Sequence, residues 1–121
     1  MKIVTKRIYD PPTSDDGYRM LVDRLWPRGM TKEKADLSEW NKDLAPSTAL
    51  RVWFHHNPDL WNQFSKKYKE ELEQQDLGKN WLKAHRQQAV ITLLYATKDK
   101  IHSHATILQQ YLQELSKKTK P

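Results

Sequence analysis

The chain contains no cysteine. Disulfides, thiolate metal sites and cysteine nucleophiles are therefore excluded. Glycine is nearly as scarce. Its three copies, Gly17, Gly29 and Gly78, fall between apolar segments where turns are expected. None belongs to a phosphate-cradling glycine loop, and nucleophile-elbow and zinc-ligand spacings are absent as well. No apolar run approaches the roughly eighteen residues that a membrane span needs. The N-terminus reads Met1-Lys2-Ile3-Val4-Thr5-Lys6-Arg7, with charges where a secretion signal needs an apolar stretch. A cytoplasmic protein with no membrane association is expected. There is no internal repeat and no low-complexity segment.

What is present is a polar chain with large rings. Charged residues make up 30% of its 121 residues, against 37% hydrophobic, so the apolar payload must come from five Trp, five Tyr and two Phe. The length suits one domain, expected over residues 1–116, followed by a basic tail at 117–121 carrying Lys117, Lys118 and Lys120. The formal charge of +6 favours anionic partners, although solubility alone also explains it.

Residues 3–8 read as a short β-branched strand stopped by Asp10-Pro11-Pro12. Residues 19–25 hold the continuous apolar run Met20-Leu21-Val22, which fits a strand covered on both faces. Leu37, Trp40 and Leu44 lie at helical spacing, so residues 33–44 are expected to be an irregular helix. Ser47 caps a short helix, and Asn57-Pro58-Asp59 has the signature of a helix start, with Trp61, Phe64, Tyr68 and Leu72 following as an inner stripe. Helical pieces follow at 79–86 and 101–115, flanking the most apolar run, Ala89 to Ala96, which reads as the central strand. The fold class is α/β: a small, mostly parallel sheet of about three strands flanked by helices. The first connection, of about ten residues, is short for a parallel crossover. It implies either an antiparallel pair or a crossover made of a single helical turn.

Two constellations stand where such sheets bind ligands, beyond the carboxyl ends of strands. The first is Asp23-Arg24-Leu25-Trp26-Pro27-Arg28-Gly29. Arg24 and Arg28 offer planar donor forks suited to phosphate or carboxylate, and Asp23 either orients an arginine or takes a proton. The competing reading is a structural ion pair of Asp23 with an arginine, and Trp26 as a core plug. The second is Lys98-Asp99-Lys100-Ile101-His102-Ser103-His104. Here Lys98 and Asp99 join the ligand-binding set, and His102 or His104 acts as acid or base. The competing reading is that His102 and Ser103 cap the last helix. Histidines two apart on a helix face different ways and lack a third ligand, so neither a metal nor another cofactor is expected. His55-His56 reads as a structural pair at a helix C-terminus, and His85 as a surface or half-buried helix residue. The helical spacing of the aromatics argues for core rather than a base-stacking platform.

The chain resembles the YeaO-like family of small bacterial proteins, a branch of a family labelled only as a domain of unknown function. The resemblance rests on KRIYDPP at 6–12, DGYRMLVDRLWPRG at 16–29, LAPSTALRVWF at 44–54, VITLLYATKD at 90–99 and HSHA at 102–105. It implies an α/β domain and supplies no catalytic residues. Longer relatives place cysteines around the last strand; here Tyr95 ends that strand, so thiol chemistry does not carry over.

From the residues, the leading expectation is a pocket for a small anionic ligand, with which hydrolytic or transfer chemistry is compatible. The alternatives are a non-catalytic basic module for nucleic acid and a regulatory subunit with a protein partner. The sequence does not choose between enzyme and binder, nor give the oligomeric state.

Overall fold

A computed structural model describes residues 1–74 and 76–118. Four strands, β1 (Lys2–Arg7), β2 (Tyr18–Leu21), β3 (Glu39–Trp40) and β4 (Val90–Tyr95), form one sheet in the order β1-β4-β2-β3, with every neighbouring pair parallel. Five helices accompany them: α1 (Lys32–Ala35), α2 (Thr48–His56), α3 (Trp61–Gln74), α4 (Leu77–Ala84) and α5 (His104–Lys118). Among the described residues no helix is long and apolar enough to cross a membrane. The expected single α/β domain with a parallel sheet and β4 at its centre is observed, with one strand more than the sequence suggested. Of the basic tail, Lys117 and Lys118 close α5; residues 119–121 lie outside the described residues.

The extra strand comes from the segment expected to be helical at 33–44. A single helical turn, α1, ends at Asp36 in the left-handed region with φ 47. The chain then extends: Ser38 N–H donates to Arg19 O and Asn41 N–H to Leu21 O, and a 3-10 turn at Lys42–Leu44 follows. Edge pairing with β2 wins over the helical spacing of Leu37, Trp40 and Leu44. Three helix starts also shift, one of them that of α4, which runs Leu77–Ala84 rather than 79–86. Asn57 to Leu60 form a turn, with Leu60 N–H donating to Asn57 O, so α3 begins at Trp61. The last helix begins at His104 rather than 101, because Ser103 takes the Ala105 N–H on its hydroxyl.

Side chains alternate across the sheet, as strand geometry requires. Ile3, Met20, Val22, Ile91, Leu93 and Tyr95 face the helices α2 to α5, where Phe64, Tyr68, Leu72, Trp81 and Leu112 complete the main core. Leu21 and Leu94 face the other way, into a smaller cluster with Ile8 and Ala35 that loops and α1 cover. The outer edge of β1 is closed by α5: Ile3 N–H donates to Gln113 at 3.0 Å and Ile3 O accepts from Gln109 at 2.9 Å. Such cover removes an aggregation-prone edge.

The ten-residue connection between β1 and β2 is a parallel crossover reduced to one 3-10 turn, Ser14–Asp16, laid across the second face of β4. Two devices permit so short a path. Gly17 adopts φ 62, and a Cβ there would lie 2.5 Å from Val90 O, so glycine alone fits. Asp16 then pins the turn. Its buried carboxylate takes the Thr13 N–H, Lys6 Nζ and the Arg19 guanidinium, while Thr92 donates to its carbonyl at 2.7 Å. Arg19 in turn donates to the Ala35 and Asp36 carbonyls at the end of α1.

Burial alone raises the Asp16 pKa, but the hydrogen bonds from Thr13, Lys6 and Arg19 outweigh it and bring it down from 3.8 to about 2. The group therefore stabilises the fold above the ordinary carboxylate range, and that contribution is lost as pH falls from about 4 towards 2. The shift corresponds to about 2 kcal/mol. Urea unfolding at pH 5 and again near pH 2 should show this loss in the wild type and a correspondingly smaller loss in Asp16→Asn, which starts less stable. Equal acid losses in both proteins would contradict the role given to Asp16.

Candidate functional site

At the carboxyl ends of β2 and β4 the ladder stops in an unusual way. Val22 N–H donates to Leu94 O at 3.1 Å. The regular parallel pattern would next run from Ala96 N–H to Val22 O. That rung is missing. Asp23 Oδ2 accepts the Ala96 N–H instead, at 2.9 Å, and His104 Nε2 donates to Val22 O, also at 2.9 Å. The same His104 nitrogen lies 3.2 Å from Asp23 Oδ1, an oxygen shielded from solvent and without a full hydrogen bond. Two side chains thus replace one backbone rung, and the strands part.

Because Val22 O can only accept, Nε2 of His104 carries its proton. The Tyr68 ring stands edge-on to the imidazole at 6.2 Å, and its hydroxyl donates to Leu44 O. Burial pushes the Tyr68 phenol well above its ordinary range, so it stays a neutral donor. Trp40 donates to Asp23 O at 2.7 Å from the neighbouring strand. Asp23 and His104 are thus half-buried and held from several sides.

Beyond this pair opens a cleft of about 870 Å³, a volume that suits a small ligand. It gathers Asp23, Arg24, Arg28, His102 and His104, the residues expected from two separate segments, into one lining. Lys98 and Asp99 do not line it. Lys98 is exposed on the loop after β4. Asp99 folds back on its own loop, accepting the Ile101 and His102 N–H groups and holding His102 Nδ1 at 3.0 Å. Those bonds, led by the His102 N–H, hold the Asp99 carboxyl below its usual range. His102 is thereby fixed through Nδ1, with its ring edge-on to Trp61 at 5.1 Å.

Asp23 pairs with neither Arg24 nor Arg28, the partners its neighbourhood in the chain suggested; His104 takes that place. Arg24 instead donates to Pro46 O at 3.1 Å and Ala45 O at 3.4 Å. Arg28 is exposed and bonds through its backbone, accepting the Tyr9 hydroxyl on its carbonyl at 2.8 Å. The structure adds three residues that the sequence reading left out of the site. Arg51, His55 and His56 of α2 also line the cleft, and all are exposed. Arg51 and His55 stand four apart on one helical face, which was the available signal. No arginine of the cleft has a carboxylate within 4 Å among the described residues, and Asp23 is the only acid in its lining. Among those residues no cluster of three or more His, Asp or Glu could hold a metal ion.

His85, expected as a surface or half-buried helix residue, is buried at the C-cap of α4 and does not line the cleft. Its Nδ1 meets Trp81 O at 2.7 Å and its Nε2 meets Glu39 at 2.9 Å, tying α4 to β3.

Residues 2–121 match the sequence model of the Inactive DUF488-N3 subclade. The uncharacterised protein YeaO of Escherichia coli (strain K12) is 42% identical over 115 residues, covering 95% of this chain and all of its own. The uncharacterised protein Rv3073c of Mycobacterium tuberculosis (strain H37Rv) is 38% identical over 111 residues, covering 92% of this chain and 93% of its own. No solved structure gives a significant match.

The missing rung predicts the effect of Asp23→Asn. The amide must turn its NH₂ towards either the Ala96 N–H or the protonated Nε2 of His104, and each choice sets donor against donor. Leaving a buried donor unsatisfied costs about 1–3 kcal/mol. Denaturant unfolding should register that loss, and unchanged stability would refute the geometry.

Proposed function

The chain belongs to the Inactive DUF488-N3 subclade, and from that premise we propose that its cleft binds a small anionic ligand, phosphorylated or carboxylated, without converting it. One observation carries this reading: three guanidinium groups around a cleft at the strand ends have no carboxylate partner among the described residues. Unpaired arginines clustered in a concave site focus a positive field, and their donor forks match phosphate and carboxylate oxygens. Arg28 and Arg51, both exposed, would grip the anion. Arg24, anchored to the Ala45 and Pro46 carbonyls, adds charge from a fixed position.

The subclade's description favours binding over turnover, and the local chemistry agrees. The Ser103 hydroxyl is buried and occupied with the Ala105 N–H, so it is not a poised nucleophile. The Asp23–His104 pair is turned inward, where it holds the strand ends apart. In this proposal Asp23 and His104 are positioning residues. His102, whose Nδ1–H goes to Asp99, can donate to the anion from Nε2 only as the imidazolium, and Lys98 contributes only at long range.

Calorimetric titration with inorganic phosphate, sulfate and citrate at low ionic strength tests the reading. Binding should be measurable for at least one anion. Hydrogen bonds to charged groups contribute about 1.5–3 kcal/mol each, so Arg28→Ala and Arg51→Ala should each weaken it about 10- to 100-fold. Lys98→Ala should stay near wild type. No binding of any of these anions, or an equal loss in Lys98→Ala, would refute it.

A further inference from the structure

Arginines alone do not explain the rest of the cleft. Its lining mixes the three cations with rings drawn from both faces of the sheet. Trp26 comes from the side of the smaller cluster, Phe54 and Trp61 from the helical side, and Tyr9 from the loop after β1. Three of the large apolar side chains left exposed on the described surface, Tyr9, Leu25 and Val52, also border this cleft. Scattered exposed apolar residues need no explanation, but a group around one cationic cleft does.

One polar detail narrows the ligand. The indole N–H groups of Trp26, Trp40 and Trp81 are each taken by a protein acceptor, at 2.7, 2.7 and 3.2 Å. Trp61 lines the cleft; its indole N–H, like that of Trp53 outside the cleft, meets no acceptor among the described residues and stays open to solvent there. A partly buried indole commonly pairs that group. The aromatic lining, a solvent-open indole donor within it and guanidinium groups without carboxylate partners suit a planar, acceptor-bearing ring joined to an anion. Three arginines balance more charge than one carboxylate carries, which points to phosphate.

Resting on the anion-binding reading above, we infer that the cleft accommodates a mononucleotide-type ligand, an aromatic heterocycle carrying a phosphate. The phosphate lies against Arg28 and Arg51, and the ring packs among Trp61, Phe54 and Tyr9. Stacking of a base on an aromatic side chain is tolerant of base identity, so the site discriminates a ring from no ring more sharply than one base from another.

The test compares probes on the wild-type protein: adenosine monophosphate, adenosine, ribose phosphate, inorganic phosphate and a short poly-thymidine strand. The expected result is that adenosine monophosphate binds at least about tenfold tighter than either adenosine or ribose phosphate. Trp61→Leu should remove most of that advantage while leaving phosphate binding in place. Should Trp61→Leu fail to fold, Tyr9→Leu, at a more exposed ring, serves the same comparison. If ribose phosphate binds as well as adenosine monophosphate, the ring assignment is overturned and the anion site stands. If none of the phosphates binds, the mononucleotide inference falls, and the anion reading then stands or falls on the titrations with sulfate and citrate. Tighter binding of the poly-thymidine strand than of the mononucleotide overturns the inference in favour of a single-stranded nucleic-acid groove.

Discussion

The architecture of the site depends on one missing backbone hydrogen bond. Where Ala96 N–H and Val22 O should meet, Asp23 takes the donor and His104 takes the acceptor. Each buried backbone group stays satisfied, as it must, yet β2 and β4 are free to separate. The residues that follow each strand, Arg24 to Arg28 and Thr97 to His104, leave in different directions, and a cleft opens between them. A conventional rung there would carry β2 further alongside β4 and close the space. Asp23 and His104 therefore act first as structure, at the point where the cleft opens.

The crossover from β1 to β2 makes that arrangement reachable. All strands run parallel, so their carboxyl ends, and the loops that leave them, share one side of the sheet. The connections around β1 and β2 run over one face and the helices α2 to α5 cover the other. The crossover fits within ten residues because Gly17 clears the Val90 carbonyl and Asp16 pairs with both Lys6 and Arg19 inside the turn. The sheet thus contains two carboxylates with distinct duties. Asp16, gripped by cations and amides, secures the topology, while Asp23, beside a histidine, shapes the open end.

Much of this was legible in the chain. Strand runs such as Met20-Leu21-Val22 and Val90 to Tyr95 are continuous and apolar because both faces are covered, so their signal survives without context. Charges placed directly after those runs drew attention to the strand ends, and Asp23, Arg24, Arg28, His102 and His104 do line one cleft. What was not legible was pairing at long range. Asp23 and His104 lie 81 residues apart, and nothing local announces that a histidine rather than an arginine completes the carboxylate. β3 was hidden for a related reason: two residues of edge pairing to β2 outweigh a helical spacing that extends over more of the chain. His55 and His56 were read through the end of their own helix and Arg51 was not singled out, because the cleft they line exists only once α2 packs beside the strand ends.

The central claim is that this cleft, opened by the Asp23–His104 substitution of a ladder bond, is where anions bind. The most direct measurement is a two-dimensional ¹H–¹⁵N spectrum that includes arginine side-chain Nε–H signals, followed through a titration with inorganic phosphate. The account predicts saturable shifts in the Nε–H signals of Arg28 and Arg51 and in the backbone amides from Asp23 to Arg28 and from Thr97 to His104. The signal of Arg19, engaged with Asp16 on the other face, should stay fixed. Shifts confined to Lys117 and Lys118, or none at any phosphate concentration, would contradict it.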